Sequence, residues 1–268
     1  TIPLWEGVKS SLTSSFVLKE TPDLISYTLA DSNEAEYPFL AVGTDSYKEM
    51  VMVVTKDGMV YFMSLEDGSV VKKSQLGDID DAHITSSFVS VNNKLYSLGL
   101  SNGNILTVAA NYKLRFEDEK RIITPVVEQQ ELFNVSESAL TVIAYEDARD
   151  GGGSAAAAYT ADNKLLYVSV TESSSGGLSL SEPVKEKTVS DLTESLGGSE
   201  VTSIELDYYL QNLFVGTKDG KILHWNVGQK TGPELLDVIS ATSGSEVAVT
   251  SLAFLLGDRS LVVGVQEG

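Results

Sequence analysis

Three aspartates and a histidine lie close together in the segment GDIDDAH, Gly77–His83. The carboxylate oxygens of Asp78, Asp80 and Asp81 have a spacing that suits the oxygen-rich coordination of calcium. The segment lacks the glycine and the later bidentate glutamate of a complete EF-hand loop, so a solvated acidic loop explains it better. We therefore expect no metal at these aspartates.

Acid–base catalysis has few candidate side chains, because His83 and His224 are the two histidines of the chain. His224 alternates with Leu223 and Trp225, as a packed strand residue does, and no glycine pattern frames a serine as in a nucleophile elbow. The segment DGGGS, Asp150–Ser154, has the composition of a surface loop rather than of a phosphate-binding loop. We assign no catalytic, cofactor-binding or metal-binding residue and expect a protein that is not an enzyme.

The charge of the chain limits its partners. Thirty-eight acidic and 19 basic residues give a formal net charge of −19, and no cysteine is present for disulfides or thiolate chemistry. Such a field repels polyanions, which disfavours nucleic acid, anionic headgroups and free phosphate. Basic residues cluster only at Lys72 with Lys73 and in KLRFEDEKR, Lys113–Arg121, where acids are interleaved.

The elements that would position any site come from an internal repeat. A turn pair followed by an alternating apolar strand recurs as KDGMVYFMSL, SNGNILTVAA, ADNKLLYVSV and KDGKILHWNV. Successive turns are 45, 60 and 57 residues apart, and Glu267 follows 48 residues after the last of them. Periods of this length are typical of β-propeller blades.

Each repeat reads as four short antiparallel strands. An alternating strand precedes a strand of small residues, then come an Asp-Gly or Asn-Gly turn, a third strand and a more polar fourth. The turn pairs predict type I′ hairpins, since glycine and asparagine tolerate positive φ. The one helical candidate is TVSDLTESLGG, from Thr188, which would form a turn or two between blades. We predict an all-β propeller in a single domain, with approximate blades at 24–76, 84–127, 140–187 and 201–240 and a partial blade at 249–268.

The fourth repeat resembles the WD40 family. Its segment DGKILHWNV, Asp219–Val227, has Trp225 where WD40 repeats carry tryptophan, and His83 lies where they carry a glycine-histidine pair. The other repeats lack this signature, so the likeness is to a degenerate WD40 or quinoprotein propeller. In that family the histidine and tryptophan are structural, which implies packing roles for Trp225 and for the histidines.

A second resemblance involves both ends of the chain. IPLWEG, Ile2–Gly7, and VTSLAFLLGDRSLVVGVQEG, Val249–Gly268, resemble the large soluble insertion of some Gram-negative phosphate ABC transporter permeases. The resemblance implies a periplasmic accessory domain of a membrane-embedded parent, with the phosphate-binding protein or other transporter subunits as partners. A propeller hydrolase or lyase with its site at the channel mouth and a cytoplasmic WD40-like scaffold are the alternatives.

The last strand of the sequence ends in a turn signal with no strand after it. The preceding repeat continues past this point, so residues 260–267 must pair with a segment from Ile2–Leu18 or form an open edge. Open apolar edges pair between chains. We expect an incomplete ring that self-associates through the 260–267 edge.

Overall fold

Four antiparallel sheets of the same design follow one another along the chain. The computed structural model describes residues 39–45, 50–77, 79, 82–90, 95–117, 120–129, 133–148, 153–173, 184–242, 247–255 and 260–266. Blade 1 contains β1 (Phe39–Asp45), β2 (Met50–Thr55), β3 (Met59–Ser64) and β4 (Val70–Gln75). Blade 2 contains β5 (Ile84–Ser90), β6 (Leu95–Leu100), β7 (Asn104–Glu117) and β8 (Lys120–Gln129), and the two-residue β9 (Phe133–Asn134) pairs with β7.

The remaining strands repeat this order. Blade 3 contains β10 (Leu140–Asp147), β11 (Gly153–Thr160), β12 (Leu165–Ser173) and β13 (Val184–Asp191). Blade 4 contains β14 (Val201–Leu206), β15 (Asn212–Thr217), β16 (Lys221–Asn226) and β17 (Glu234–Ser240), and β18 (Val249–Leu255) pairs with β19 (Ser260–Val265) to begin blade 5. The predicted β-propeller architecture, four full blades and a partial one, is confirmed, although blade 3 extends to residue 191 rather than 187.

The inner strand of each blade contacts the inner strand of the next, in the order β1, β5, β10, β14, β18. A hydrophobic cluster fills each of the four junctions, and the largest lies between blades 3 and 4 around the fully buried Trp225. Within the described residues β19 pairs with β18 alone, so the sheets do not close into a ring. The segment Ile2–Leu18, the alternative partner for β19, lies outside the described residues.

The hairpin turns differ from the sequence prediction. The turn after β2 is closed by Gly58 N–H donating to the Thr55 carbonyl at 2.9 Å, and positive φ occurs at Gly58 rather than at the two central residues. The turns after β6, β11 and β15 place Gly103, Asn163 and Gly220 in the same way. These are three-residue loops with a left-handed last residue, so the type I′ prediction was wrong. A type I′ turn has two loop residues, whereas these loops have three. In the longer loop the residue after the Asp or Asn takes the positive φ.

Candidate functional site: the turn face of the blades

One face of the propeller carries the turns between second and third strands, together with the loops that lead from one blade to the next. We call it the turn face. In blade 4 the Lys218 N–H donates to the Glu200 carbonyl at 2.9 Å, which ties the turn to the incoming loop. The equivalent bonds are Ser101 to His83, Ala161 to Ala139 and Gln266 to Ala248. The turn face is therefore held by the same backbone contact in four successive units.

A threonine at the end of the second strand orders the side chains of each turn in blades 1, 3 and 4. The Thr217 hydroxyl lies 2.6 Å from Asp219 Oδ1, and its oxygen accepts the Lys221 N–H at 3.0 Å. Thr55 contacts Asp57 in the same way, and Thr160 accepts the Lys164 N–H at 3.0 Å. Blade 2 has Leu100 at this position, and in its turn the Asn102 side chain accepts the Asn104 N–H at 3.3 Å.

The carboxylate of Asp219 is stabilised in its charged form. Burial alone would raise the pKa of Asp219, but hydrogen bonds from Lys221, Thr217 and Ser199 outweigh it and hold this pKa at about 2. In blade 3 a hydrogen bond from Lys164 is the largest effect that lowers the pKa of Asp162. The turn face therefore carries ionised aspartates at any physiological pH.

A shallow open groove of about 530 Å³ lies on the turn face where blade 4 begins. It is lined by residues Gly197, Gly198, Ser199, Glu200, Lys218, Asp219 and Lys221. The Lys218 Nζ lies 2.8 Å from Glu200 Oε2, and the Lys221 Nζ lies 2.6 Å from Asp219 Oδ2. Because each cation is paired with a carboxylate, the groove offers alternating charges to a polar surface rather than a pocket for a free anion.

Behind the turn face, bulged inner strands bind blade 2 to blade 3 and blade 4 to blade 5. The pairing register shifts at the second residue of β5, β10, β14 and β18, where each strand carries a threonine. The Thr202 hydroxyl lies 2.5 Å from the Val249 carbonyl of the next blade, and the Thr85 hydroxyl lies 2.6 Å from that of Leu140. These hydroxyls act as latches between blades, because a bulge turns their side chains toward the neighbouring strand.

In blades 2, 4 and 5 the residue after the bulge threonine faces a glycine on the second strand. Ser86 pairs with Gly99, Ser203 with Gly216 and Ser251 with Gly264. A Cβ on Gly216 would lie 2.5 Å from Ser203 Oγ and 2.9 Å from the Val249 Cβ of the next blade. Glycine is required there because the serine and the next inner strand both approach the backbone closely. This close approach explains why the sequence has small residues in the second strands.

His224 has a packing role, as the sequence indicated. Its ring stacks on Phe214, with centroids 4.2 Å apart, and its Nε2 lies 2.9 Å from Asn212 Oδ1. Burial lowers the pKa of His224, although the charges of Asp237 and Asp207 act in the opposite direction. The imidazole is engaged on its face and at one nitrogen, within the junction toward blade 5.

The remaining sequence candidates do not converge on one site. His83 is exposed just before β5, so the packing role that the WD40 resemblance implied for it was wrong, and its backbone N–H donates to Ser101 Oγ at 3.1 Å. Asp78, Asp80 and Asp81 lie outside the described residues, as do the first residues of the segment 150–154. Among the described residues no group of three or more His, Asp or Glu side chains is placed to hold a metal ion, and no helix there is long and apolar enough to cross a membrane.

Sequence reasoning missed the latches. A usable signal was present, because a Thr-Ser pair opens three of the repeats and a glycine follows that serine by 13 residues each time, at Gly99, Gly216 and Gly264. Because β-bulges place two residues against one, a simple two-residue alternation cannot identify the residue that turns toward the neighbouring blade.

The comparisons with known proteins show a likeness to a solved β-propeller structure. No protein-family profile matches the chain, and no curated protein matches it. The solved β-propeller domain of Cps50 (Swd1) from Myceliophteria thermophila is similar to this chain, with a TM-score of 0.49 and 16% identity. The match covers 84% of this chain, which spans 62% of that domain.

Proposed function

We propose that this chain is a non-catalytic interaction domain whose partner docks on the turn face. In its sharper form, the proposal is that it serves as a periplasmic accessory domain of a phosphate ABC transporter permease and contacts the phosphate-binding protein. The observation that carries the general proposal is the repeated turn, whose backbone is held alike in four units and which presents paired charged side chains in blades 3 and 4.

The hydrogen bonding of the polar side chains supports a binding role. The latch hydroxyls of Thr85 and Thr202 are engaged by carbonyls of the adjacent blades, and His224 is engaged by Phe214 and Asn212. Groups that are fixed in this way stiffen the blades. A stiff scaffold lowers the conformational entropy lost when a partner binds.

The transporter assignment is supported by sequence likeness at Ile2–Gly7 and Val249–Gly268, of which the described part forms β18 and β19. The net charge of −19 argues that the domain does not capture phosphate itself. On this proposal the phosphate-binding protein carries the anion, and the domain recognises the surface of that protein.

A binding titration with the phosphate-binding protein tests the proposal. We expect saturable binding that weakens at least fivefold on Glu200→Lys, because this change places two like charges beside each other in the turn-face groove. Glu66→Lys, an equally exposed charge reversal in the turn between β3 and β4, is the matched control and should bind as the parent does. Equal loss in both variants would contradict a turn-face site, and no binding would contradict the transporter assignment.

Calorimetry with inorganic phosphate tests separately whether the domain itself binds phosphate. We expect no saturable heat at millimolar phosphate, because the groove cations are already paired with carboxylates. A micromolar dissociation constant would show that the domain is itself a phosphate receptor.

A further inference from the structure

Two strands of blade 2, β7 and β8, extend well beyond the other strands of their sheet. β7 pairs with β6 only as far as Ala109, while its ladder with β8 continues to the pair Glu117 and Lys120. Residues 110–117 and 120–127 therefore form a two-stranded ribbon, which we call the arm. The other blades have third strands of six to nine residues, against 14 for β7.

The base of the arm packs on blade 1. The ring of Tyr112 meets that of Phe62 edge to face with centroids 6.2 Å apart, and Lys72 Nζ donates to the Pro125 carbonyl at 2.9 Å. The same face of β7 continues outward through Leu114, which is 48% exposed, and Phe116, which is 75% exposed. Phe116 is the most exposed large apolar side chain of the described residues. The arm thus has a fixed base and an uncovered apolar tip.

Cations lie on both faces of the arm near this apolar tip. Lys113 and Arg115 lie on the other face of β7, and Arg121 lies opposite Phe116 in the ladder. The Arg115 guanidinium reaches Glu117 at 3.3 Å, on the surface where such a pair contributes little. The arm therefore combines apolar contact area with one of the two basic clusters of an otherwise acidic chain.

A surface of complementary character lies on blade 4. All seven residues of β17 are exposed, and four of them are large apolar residues, 39–50% exposed: Leu235, Leu236, Val238 and Ile239. Two acids, Glu234 and Asp237, lie among them. Blade 3 lies between blades 2 and 4, so a contact of the arm with β17 must be made between two copies of the chain.

We infer that the arm of one copy docks on β17 of a second copy, with Phe116 and Leu114 against its apolar residues and Arg121, which lies on the same face of the arm, beside Glu234 and Asp237. A lipid surface fits less well, because the acidic Glu117 lies at the tip and the chain as a whole repels anionic headgroups. Unlike surfaces meet in this contact, so copies assemble head to tail. The contact area is small, so we expect weak, concentration-dependent association.

Sedimentation velocity of the 268-residue chain over a hundredfold concentration range tests the contact. We expect association that weakens at least tenfold on Phe116→Ser and weakens again as salt is raised, since the charges are exposed. Tyr209→Ser removes a half-exposed aromatic ring in the turn between β14 and β15, which belongs to neither surface, and should leave association unchanged. Circular dichroism checks that each variant keeps its strand signal. A monomer at every concentration would overturn the inference.

A charge exchange tests which surfaces meet. Arg121→Glu should weaken association, and so should Glu234→Lys with Asp237→Lys, while a mixture of the two variants should associate again. Val262→Lys in β19 distinguishes the contact from edge pairing. Association that survives Phe116→Ser but is lost on Val262→Lys would overturn the arm contact in favour of the 260–267 edge. Binding of the parent to phosphatidylglycerol vesicles that is lost on Phe116→Ser, without any self-association, would overturn it in favour of a membrane.

Discussion

The hydroxyl of Thr85 lies 2.6 Å from the carbonyl oxygen of Leu140, the first residue of the next inner strand. Ser86 Oγ donates to the same oxygen at 2.7 Å. At the junction between blades 4 and 5, the Thr202 hydroxyl contacts the Val249 carbonyl without such support, because Ser203 Oγ is buried with no hydrogen-bond partner. Two junctions with the same architecture are therefore latched to different degrees.

The difference predicts unequal costs for the same substitution. Thr202→Val should lower the free energy of unfolding by about 1 to 2 kcal/mol, because it removes the hydroxyl bond to the Val249 carbonyl. Thr85→Val should cost less, since Ser86 still donates to Leu140. Urea unfolding midpoints of the two variants measure the difference. Equal midpoints would contradict the view that the serine supports the first latch.

Gly216→Ala should destabilise the chain by about 1 to 3 kcal/mol through overpacking. The added Cβ would collide with Ser203 Oγ and with the Val249 side chain of the next blade. Gly77→Ala is the matched control, because the nearest atom to its Cβ would be Gln129 Oε1 at 3.8 Å. Thermal unfolding of both variants checks this, and an undisturbed Gly216→Ala variant would show that the junction tolerates a methyl group.

Asp219 makes part of the stability depend on pH. Its folded pKa of about 2 lies below the ordinary 3.8, so the ionised carboxylate stabilises the fold above pH 4, and this stabilisation is lost as pH falls toward 2. Asp219→Asn should remove about 1 to 2 kcal/mol near neutral pH and flatten the loss of stability between pH 4 and 2. Urea unfolding at a series of pH values measures the slope of the unfolding free energy against pH. Substitution of an unrelated carboxylate should leave that slope unaltered.

His224 should titrate below its ordinary pKa of 6.5, because burial penalises the imidazolium. Its contribution to stability is complete above pH 6.5 and declines as pH falls through the folded value. Asp237→Asn removes a charge that favours the imidazolium and should lower the pKa further. NMR titration of the His224 ring proton, assigned with a His224→Gln variant, measures both values. An upward shift on Asp237→Asn would contradict this account.

The repeat period predicted the blades because each unit must present an alternating strand and a turn at fixed intervals. The packing roles of His224 and Trp225 followed from alternation within a strand, and both side chains lie in junctions between blades. These features depend on neighbours within one unit, which a single sequence displays directly.

Contacts between units were harder to foresee. The latch of Thr202 joins residues 47 positions apart, and no local pattern states which carbonyl a hydroxyl will reach. The basic segment at Lys113–Arg121 was recognised as a charge cluster, but the length of β7 depends on the support of its base by Phe62 and Lys72 in another blade.

The separate hydrophobic clusters between successive blades make the molecule a linear array of coupled units. In such an array stability is approximately a sum of terms from adjacent neighbours, so a fault at one junction divides the chain into two groups that open independently. The two-stranded fifth unit has one neighbour among the described residues, and its backbone amides should exchange with solvent before those of β10 and β14. Opening then proceeds from this end toward the middle, and the junction around Trp225 sets how far it spreads.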